Sequence, residues 1–228
     1  WTIIPMLKKQ TSIRPTGERF PGYDVLSKRL TPSWNQKTRD VVTHRLSVGP
    51  EPRFFTAEEL RTVIAIAARI VPQPRTRPPI PVAAFVDGKL HQRKADGYRQ
   101  AKMPSEQDAW RRALRALDVE AAAAFGKTFH ELGADQQDLL LLQMQKGELH
   151  DPAWGGMPPD VFFKMRMARD IVHAYYAHPT AWSEIGWGGP ASPRGYVRMG
   201  FNERDAWEAA EVKDGDVTTA KRKNRRVG

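Results

Sequence analysis

The stretch from Thr56 to Pro72 reads TAEELRTVIAIAARIVP and predicts an amphipathic helix. It opens with a capping box, in which the Thr56 hydroxyl can accept from the third amide of the helix while Glu59 reaches back to the cap amide. The apolar residues that follow recur at helical spacing and form one stripe: Leu60, Val63, Ile64, Ala67 and Ile70. Pro72 and Pro74 then end the helix, because proline has no backbone N–H to continue it.

Further helices are predicted on both sides of this stretch. Apolar spacing, caps and glycine stops place them at about 34–46, 81–93, 105–126, 135–146 and 159–177. The sequence contains neither a run of alternating strands nor an internal repeat. We therefore predict a mainly α chain, with a compact bundle of about five to six helices and long irregular N- and C-terminal arms.

The composition divides the chain into three parts. Residues 1–53 contain six prolines and many large apolar side chains, which predicts an extended partner-binding arm with one short helix. Residues 54–177 form the helical body. Residues 178–228 combine a loop rich in Gly, Pro and Trp with a basic C-terminal tail. The four Gly and three Pro within 178–196 predict that this loop cannot be helical.

Charge follows the same division. The formal net charge is +10 over 228 residues, yet residues 54–211 are neutral, with 20 basic and 20 acidic side chains. Residues 1–53 carry +6 and residues 212–228 carry +4. Basic arms bind either polyanions, by releasing counterions from phosphates, or an acidic partner protein. The final run KRKNRR (221–226) has no interleaved aromatic residue to stack on bases, so we expect no specific nucleic-acid binding.

Motifs for cofactors and metals are missing from the sequence. The absence of cysteine excludes disulfides, thiolate metal sites and cysteine-attached haem. The glycine spacings of dinucleotide sites and P-loops do not occur, and neither does the Glu-x-x-His motif of di-iron bundles. His173 and His178 are five residues apart, whereas two zinc ligands on one helix face are four apart. No apolar run reaches about 18 residues, so we expect no membrane-spanning segment.

Candidate nucleophiles and bases are also weak. Ser183 and Ser192 lie outside any G-x-S-x-G context, which favours hydrogen bonding within a loop over catalysis. A hydrolase that uses His130 or His173 is the least supported alternative. We predict no catalytic, cofactor-binding or metal-binding residue in this chain.

The aromatic residues outside the body predict a protein interface. Large apolar side chains in an extended arm need burial, either against the chain's own body or against a partner. Aromatic and Arg side chains dominate interface hot spots. The predicted partner-interface residues are Trp1, Phe20, Tyr23, Trp34, Trp182, Trp187, Arg194 and Tyr196. The alternative is a helical binding module that uses its basic arms on nucleic acid or an anionic membrane surface.

Several segments occur in an order that is typical of one family. They read FFTAEELRTVIAIAARIVP (54–72), AAFVDGKL (83–90), FGKTFHEL (125–132) and QQDLL (136–140), followed by a helix that begins at Phe162 and Phe163. HPTAWSEIGWGGPASPRGY (178–196) comes after them, and GYDVL (22–26) and PSWN (32–35) come before. Together these segments resemble the gluconate 2-dehydrogenase subunit 3 family over roughly residues 20–210.

The resemblance implies a non-catalytic small subunit of a bacterial hetero-oligomer. Its partner would be a large FAD-dependent oxidoreductase of the glucose–methanol–choline type that oxidises a sugar, polyol or glycoside, and a c-type cytochrome would be a third subunit. The small subunit carries no cofactor and has a chaperone-like role in the stability, maturation and export of the catalytic subunit. No twin-arginine signal is visible, so we expect a periplasmic location if the chain is exported with its partner and a cytoplasmic one otherwise.

Overall fold

The chain is mainly helical. A computed structural model describes residues 19–93, 97, 100–192, 195, 205 and 207–227. The α-helices are α1 (Gln36–Leu46), α2 (Ala57–Ile70), α3 (Val82–His91), α4 (Glu106–Phe125), α5 (Ala134–Lys146), α6 (Pro159–Phe162), α7 (Ala168–Tyr176), α8 (Pro179–Ile185) and α9 (Val217–Asn224). Short 3-10 helices cover Val25–Lys28, Phe129–Glu131 and Pro152–Trp154. Among the described residues, the only β pairing is an isolated bridge between Trp34 and Ser192. The predicted fold class is confirmed.

The chain divides into two compact units. Among the described residues, unit 1 is the continuous stretch Gly49–Tyr175, and unit 2 combines residues of Gln10–Val48 with residues of Tyr176–Gly228. The predicted helical body, 54–177, and unit 1 share residues 54–175. The residues predicted as two separate arms contribute together to unit 2.

The helices of unit 1 begin and end at the capping residues predicted from the sequence. The capping box of Thr56 and Glu59 opens α2, and Ser105 caps α4 by accepting from the Asp108 amide. Gly126 and Gly147 end α4 and α5 in the left-handed conformation that glycine adopts without strain. The largest fully buried side chains of this unit form its core: Ile66, Leu90, Trp110, Leu114, Leu117, Phe129, Leu141, Phe162 and Phe163.

The predicted single helix over 159–177 is wrong in one respect. Phe163–Met167 form a π-helix between α6 and α7. A π turn contains more residues than an α turn. Side chains spaced four residues apart therefore stay on the same face of the helix when it includes a π turn. Phe163, Met167 and Ile171 are accordingly all fully buried.

The prediction that residues 178–196 cannot be helical is also wrong, because α8 covers Pro179–Ile185. Pro179 occupies the first turn, where its missing N–H leaves no hydrogen bond unmade. The His178 ring accepts from the Thr180 amide at 3.2 Å, and Gly186 ends the helix in the left-handed conformation. Proline and glycine therefore mark the two ends of this helix and do not interrupt it.

The basic C-terminal tail is likewise partly helical. Asp216 caps α9 by accepting from the Thr219 amide at 2.9 Å. Ala220, Asn224 and Val227 are buried, whereas the basic residues of this segment are exposed. The tail is thus anchored along one side.

Candidate functional site

Asp87, in the segment that reads AAFVDGKL, fixes the entry to α2. Its carboxylate accepts the backbone amides of Arg53 at 2.8 Å, Phe54 at 2.9 Å and Phe55 at 2.8 Å. The side chain is only 1% exposed, so these three hydrogen bonds replace the water that a buried carboxylate loses. Gly88, the next residue, leaves room for the Arg53 guanidinium, which would lie 2.7 Å from an added Cβ.

Lys89, from the same segment, belongs to a charged network in unit 1. Its Nζ lies 2.8 Å from Asp170 Oδ1 and 3.5 Å from Glu106 Oε2. Arg166 Nη1 lies 2.6 Å from Glu106 Oε1, and Trp110 Nε1 donates to Asp170 Oδ2 at 3.0 Å. Two cations balance two anions, which is the condition under which buried charges are tolerated. Both carboxylates already have internal partners, so the network favours a structural role.

His130 lies beside the Thr128 hydroxyl, whose proton is donated to another residue. Its Nδ1 is 3.3 Å from Thr128 Oγ1. That hydroxyl donates to Glu131 at 2.7 Å, and the hydrogen bonds from the Thr128 side chain and backbone hold the pKa of Glu131 below its ordinary value. Nearby, burial raises the pKa of Asp118, which accepts the Phe129 amide at 2.9 Å. The FGKTFHEL segment thus makes a capped turn, and Thr128 is not poised to lose its proton to His130.

Unit 2 has an aromatic core built from both ends of the chain. The buried cluster contains Tyr23, Val25, Trp34, Val42, Trp182, Ala209 and Val227. Tyr23 Oη donates to the Trp207 carbonyl at 2.9 Å, and Trp182 Nε1 donates to the Tyr176 carbonyl at 2.6 Å. The Arg45 guanidinium lies 5.6 Å from the Trp182 ring centre, and burial lowers the pKa of Arg45. The GYDVL and PSWN segments therefore pack with the Gly-rich segment.

The glycines of the segment GWGGP are required by this packing. Gly186 has a φ of +69°, and a Cβ there would lie 2.6 Å from the Phe20 ring. Gly189 has a φ of +67° and would bring a Cβ to 3.1 Å from Trp182. Both serines make hydrogen bonds, since Ser183 Oγ accepts the Val25 amide at 3.1 Å and Ser192 Oγ accepts from Asn35 at 3.3 Å. The predicted loop position is wrong for Ser183, which lies in α8.

Asn224 ties α9 to the N-terminal part of unit 2. Its Nδ2 donates to the carbonyls of Pro21 and Ala210 at 3.0 Å each, and its Oδ1 accepts the Ala210 amide. This side chain is 2% exposed. The five exposed basic residues around it are Lys221, Arg222, Lys223, Arg225 and Arg226. Their charges are therefore carried on a fixed helix end.

The structure places the predicted partner-interface residues unevenly. Tyr23, Trp34 and Trp182 are at most 6% exposed and are covered by unit 2 itself. Phe20 is half-buried, and Trp187, which packs edge-on against Trp182 at 4.9 Å, is 41% exposed. Trp1, Arg194 and Tyr196 lie outside the described residues. The partner contacts themselves stay a prediction.

The described residues show neither a metal cluster nor a membrane-spanning helix. Within them, no group of three or more His, Asp or Glu side chains is arranged to hold a metal ion. In the same part of the chain, every helix is too short or too polar to cross a lipid bilayer.

The comparisons with known proteins place the chain in a family. The family model for gluconate 2-dehydrogenase subunit 3 matches residues 57–189, which is more than half of the chain. The chain belongs to the gluconate 2-dehydrogenase subunit 3 family. No match was found among curated proteins or among solved structures. The matched residues of this subunit 3 chain include Asp87, the charged network around Lys89 and the turn at Thr128–Glu131.

Sequence reasoning missed two features of the subunit 3 chain. It treated Asp87 as part of a motif without a role, although an acidic residue four positions after Ala83 on a buried helix face signals a specific internal partner. It also missed the anchoring role of Asn224, whose only sequence signal is a lone amide within a basic run. The Asn224 partners are far away in sequence, so no local pattern identifies them.

Proposed function

We propose that this chain is the non-catalytic small subunit of a bacterial flavin-dependent dehydrogenase complex. It binds and stabilises a large catalytic subunit of the glucose–methanol–choline type, which carries FAD and oxidises a sugar, polyol or glycoside. A c-type cytochrome is the expected third subunit. We propose a periplasmic location if the chain is exported with its partner, and a cytoplasmic location otherwise.

The family match over residues 57–189 carries this proposal. The contacts of the motif residues support it, because their reactive groups are used inside the chain. Asp87 holds three backbone amides, Asp170 and Glu106 hold Lys89 and Arg166, and Thr128 holds Glu131. A subunit whose polar motifs stabilise its own fold suits an accessory role.

Co-expression tests the proposal directly. The chain is produced alone and together with the large flavoprotein encoded beside it, and both preparations are purified through a tag on the small subunit. We expect a colourless protein from the first preparation and a complex with flavin absorbance and sugar-dependent dye reduction from the second. A lone chain that retained FAD and oxidised a sugar would contradict the proposal, as would a flavoprotein that never co-purified.

Trp187 offers a sharper test of where the partner binds. Trp187→Ala is compared with Ile185→Ala, because both residues are exposed and lie in the same part of unit 2. We expect Trp187→Ala to weaken co-purification more than Ile185→Ala, while both lone subunits keep similar melting temperatures. Equal co-purification of the two variants would remove Trp187 from the interface.

The five exposed cations of residues 221–226 support a second candidate function. They are held on an anchored helix end, which suits an anionic membrane or a nucleic acid as well as an acidic protein surface. Filter binding to duplex DNA and co-sedimentation with vesicles of phosphatidylserine, each across a salt series, separate these cases. Steeply salt-dependent binding that Arg222→Glu with Arg226→Glu abolishes, without loss of the flavoprotein, favours this second function.

A further inference from the structure

An open apolar groove runs along α2 in unit 1. Its volume is about 550 Å³. The residues that define this α2–α3 groove are Leu60, Ile64 and Ala68 from α2 and Pro72, Arg75 and Pro79 from the connector that leads to α3. Ile64 is 52% exposed, so a branched aliphatic side chain that lines the groove is in contact with water.

The groove exists because α2 has two apolar faces. Val63, Ile66 and Ala67 are buried in the core of unit 1. Leu60, Ile64 and Ala68 recur every four residues, so they lie along the neighbouring face of the helix. Leu60 and Ile64 belong to the single apolar stripe predicted from the sequence, but Ile64 is half-exposed whereas Val63 and Ala67 of the same stripe are buried. A helix that is apolar beyond the face its own core covers presents a surface for another molecule.

The opposite wall of the groove is fixed. Gln73 accepts the Ile80 amide at 2.7 Å and donates to the Ile80 carbonyl at 3.0 Å. Arg77 donates to Gln73 Oε1 and to the Tyr175 hydroxyl, both at 3.2 Å. These bonds and the prolines hold the connector in one shape. A preformed groove loses little conformational freedom when it binds.

The charged residues that line the groove indicate the chemistry of the segment that would bind there. Arg69 already forms an ion pair with Asp138, to which its Nε and Nη2 donate hydrogen bonds at 2.7 Å and 2.6 Å. Arg75 is exposed, and no acidic residue is among the described lining residues. An apolar segment that also carries a carboxylate near Arg75 therefore complements the groove. The chain's own residues 1–9 are apolar but basic, with Lys8 and Lys9, and would meet Arg75 with like charge.

We propose that the α2–α3 groove is the site where this chain receives an apolar, carboxylate-bearing segment of the catalytic flavoprotein. This proposal rests on the proposed function, because it takes the flavoprotein as the partner. It adds the surface of the small subunit that is used and the chemistry of the segment that fills it.

The absence of cysteine makes the test specific. Ile64→Cys and Leu139→Cys each introduce a single thiol at an apolar position of unit 1, and the native residues are similarly exposed, at 52% and 47%. Maleimide labelling rates are measured for each lone variant and for each variant in complex with the co-expressed flavoprotein. With the flavoprotein at ten times its dissociation constant or more, we expect labelling at position 64 to fall by about tenfold while position 139 changes little.

A second pair of variants checks the energetics. Ile64→Glu and Arg75→Glu are expected to reduce the amount of flavoprotein that co-purifies, whereas Leu139→Glu is not. Circular dichroism of the lone variants confirms that each one folds. Charge reversal at Arg75 is the sharper variant, because an exposed side chain of the connector contributes little to the fold.

The outcomes are distinguishable. A complex that forms with position 64 still fully labelled overturns the groove proposal and leaves the proposed function standing. Failure of the wild-type chain to bind the flavoprotein overturns both. Protection of position 64 in the lone chain that disappears when residues 1–18 are removed identifies the chain's own N-terminal segment as the occupant. Protection that grows with the concentration of the lone chain identifies a second copy, and either result overturns the proposal.

Discussion

Units 1 and 2 are built from the chain in opposite ways. Unit 1 uses one continuous stretch, Gly49–Tyr175, and its helices follow one another along the sequence. Unit 2 joins segments from both ends, and Asn224 bonds a carbonyl 203 residues away. Closing a long loop before any contact forms raises the entropic cost of folding and slows it. The comparison teaches that one chain can specify one region by local patterns and another by single long-range contacts.

The largest effect is expected in unit 1, at Asp87. Asp87→Ala leaves three backbone amides without their acceptor, including that of the buried Phe55, and we expect the free energy of unfolding to fall by about 3–5 kcal/mol. Hydrogen–deuterium exchange of peptides from α2 and α3 measures this loss. The exposed Asp135→Ala is the matched control and should change stability by at most about 0.5 kcal/mol. Similar exchange in the two variants would refute this role of Asp87.

Gly186→Ala is expected to have the next largest effect, in unit 2. The alanine meets both a left-handed backbone and the Phe20 ring, so we expect a loss of about 2–4 kcal/mol. Gly126→Ala in unit 1 is the control, because φ there is +72° but nothing lies within 4 Å of an added Cβ. That variant should lose about 1 kcal/mol. Thermal unfolding of both variants separates two costs. The left-handed backbone is strained in both variants, whereas the contact with the Phe20 ring occurs only at position 186.

If packing against Phe20 is the cause, the second substitution Phe20→Ala should recover part of the loss at Gly186→Ala. A double-mutant cycle measures that coupling. Additive effects of the two substitutions would assign the whole loss to backbone strain.

Asn224→Ala tests the long-range contact that closes unit 2. It removes hydrogen bonds to Pro21 and to both backbone groups of Ala210, and we expect a loss of about 2 kcal/mol. Exchange should rise together in α9 and in the peptide around residues 19–23. Thr218→Ala, at an exposed position of the same helix, should change neither. A rise confined to α9 would mean that the two ends of the chain are not coupled through Asn224.

The smallest effect concerns pH. Hydrogen bonds from the Thr219 backbone and side chain lower the pKa of Asp216 at the N-terminus of α9. Because the unfolded form has the higher pKa, it binds the proton first on acidification. The stabilisation is therefore complete above the ordinary aspartate pKa and is lost as the pH falls through the lowered one.

Asp216→Asn keeps a capping oxygen but removes the titration. We expect the protection of α9, corrected for intrinsic exchange, to decline on acidification in the wild type and to stay flatter in the variant. Parallel declines in the two proteins would assign the acid sensitivity of α9 to another group.

The sequence predicted unit 1 far better than unit 2, for a physical reason. Caps such as Thr56 and Ser105 and stops such as Gly126 act within a few residues, so a local pattern contains them. In unit 2, Gly186 is explained by Phe20 and Asn224 by Pro21, and such pairs leave no periodic trace. Pro and Gly at the two ends of α8 were therefore interpreted as a loop. The burial of Tyr23, Trp34 and Trp182 by the chain itself was one of two alternatives that composition left open.

The anchoring of α9 has a consequence for synthesis. Trp34 emerges from the ribosome early, whereas Asn224 and Val227, which complete the same unit, are made about 190 residues later. At about 5–20 residues per second, roughly 10–40 s separate the two events on the ribosome. Throughout that interval Tyr23, Val25 and Trp34 lack their C-terminal cover. A factor that shields nascent apolar segments would therefore act on residues 23–34 until residues 224–227 have been made.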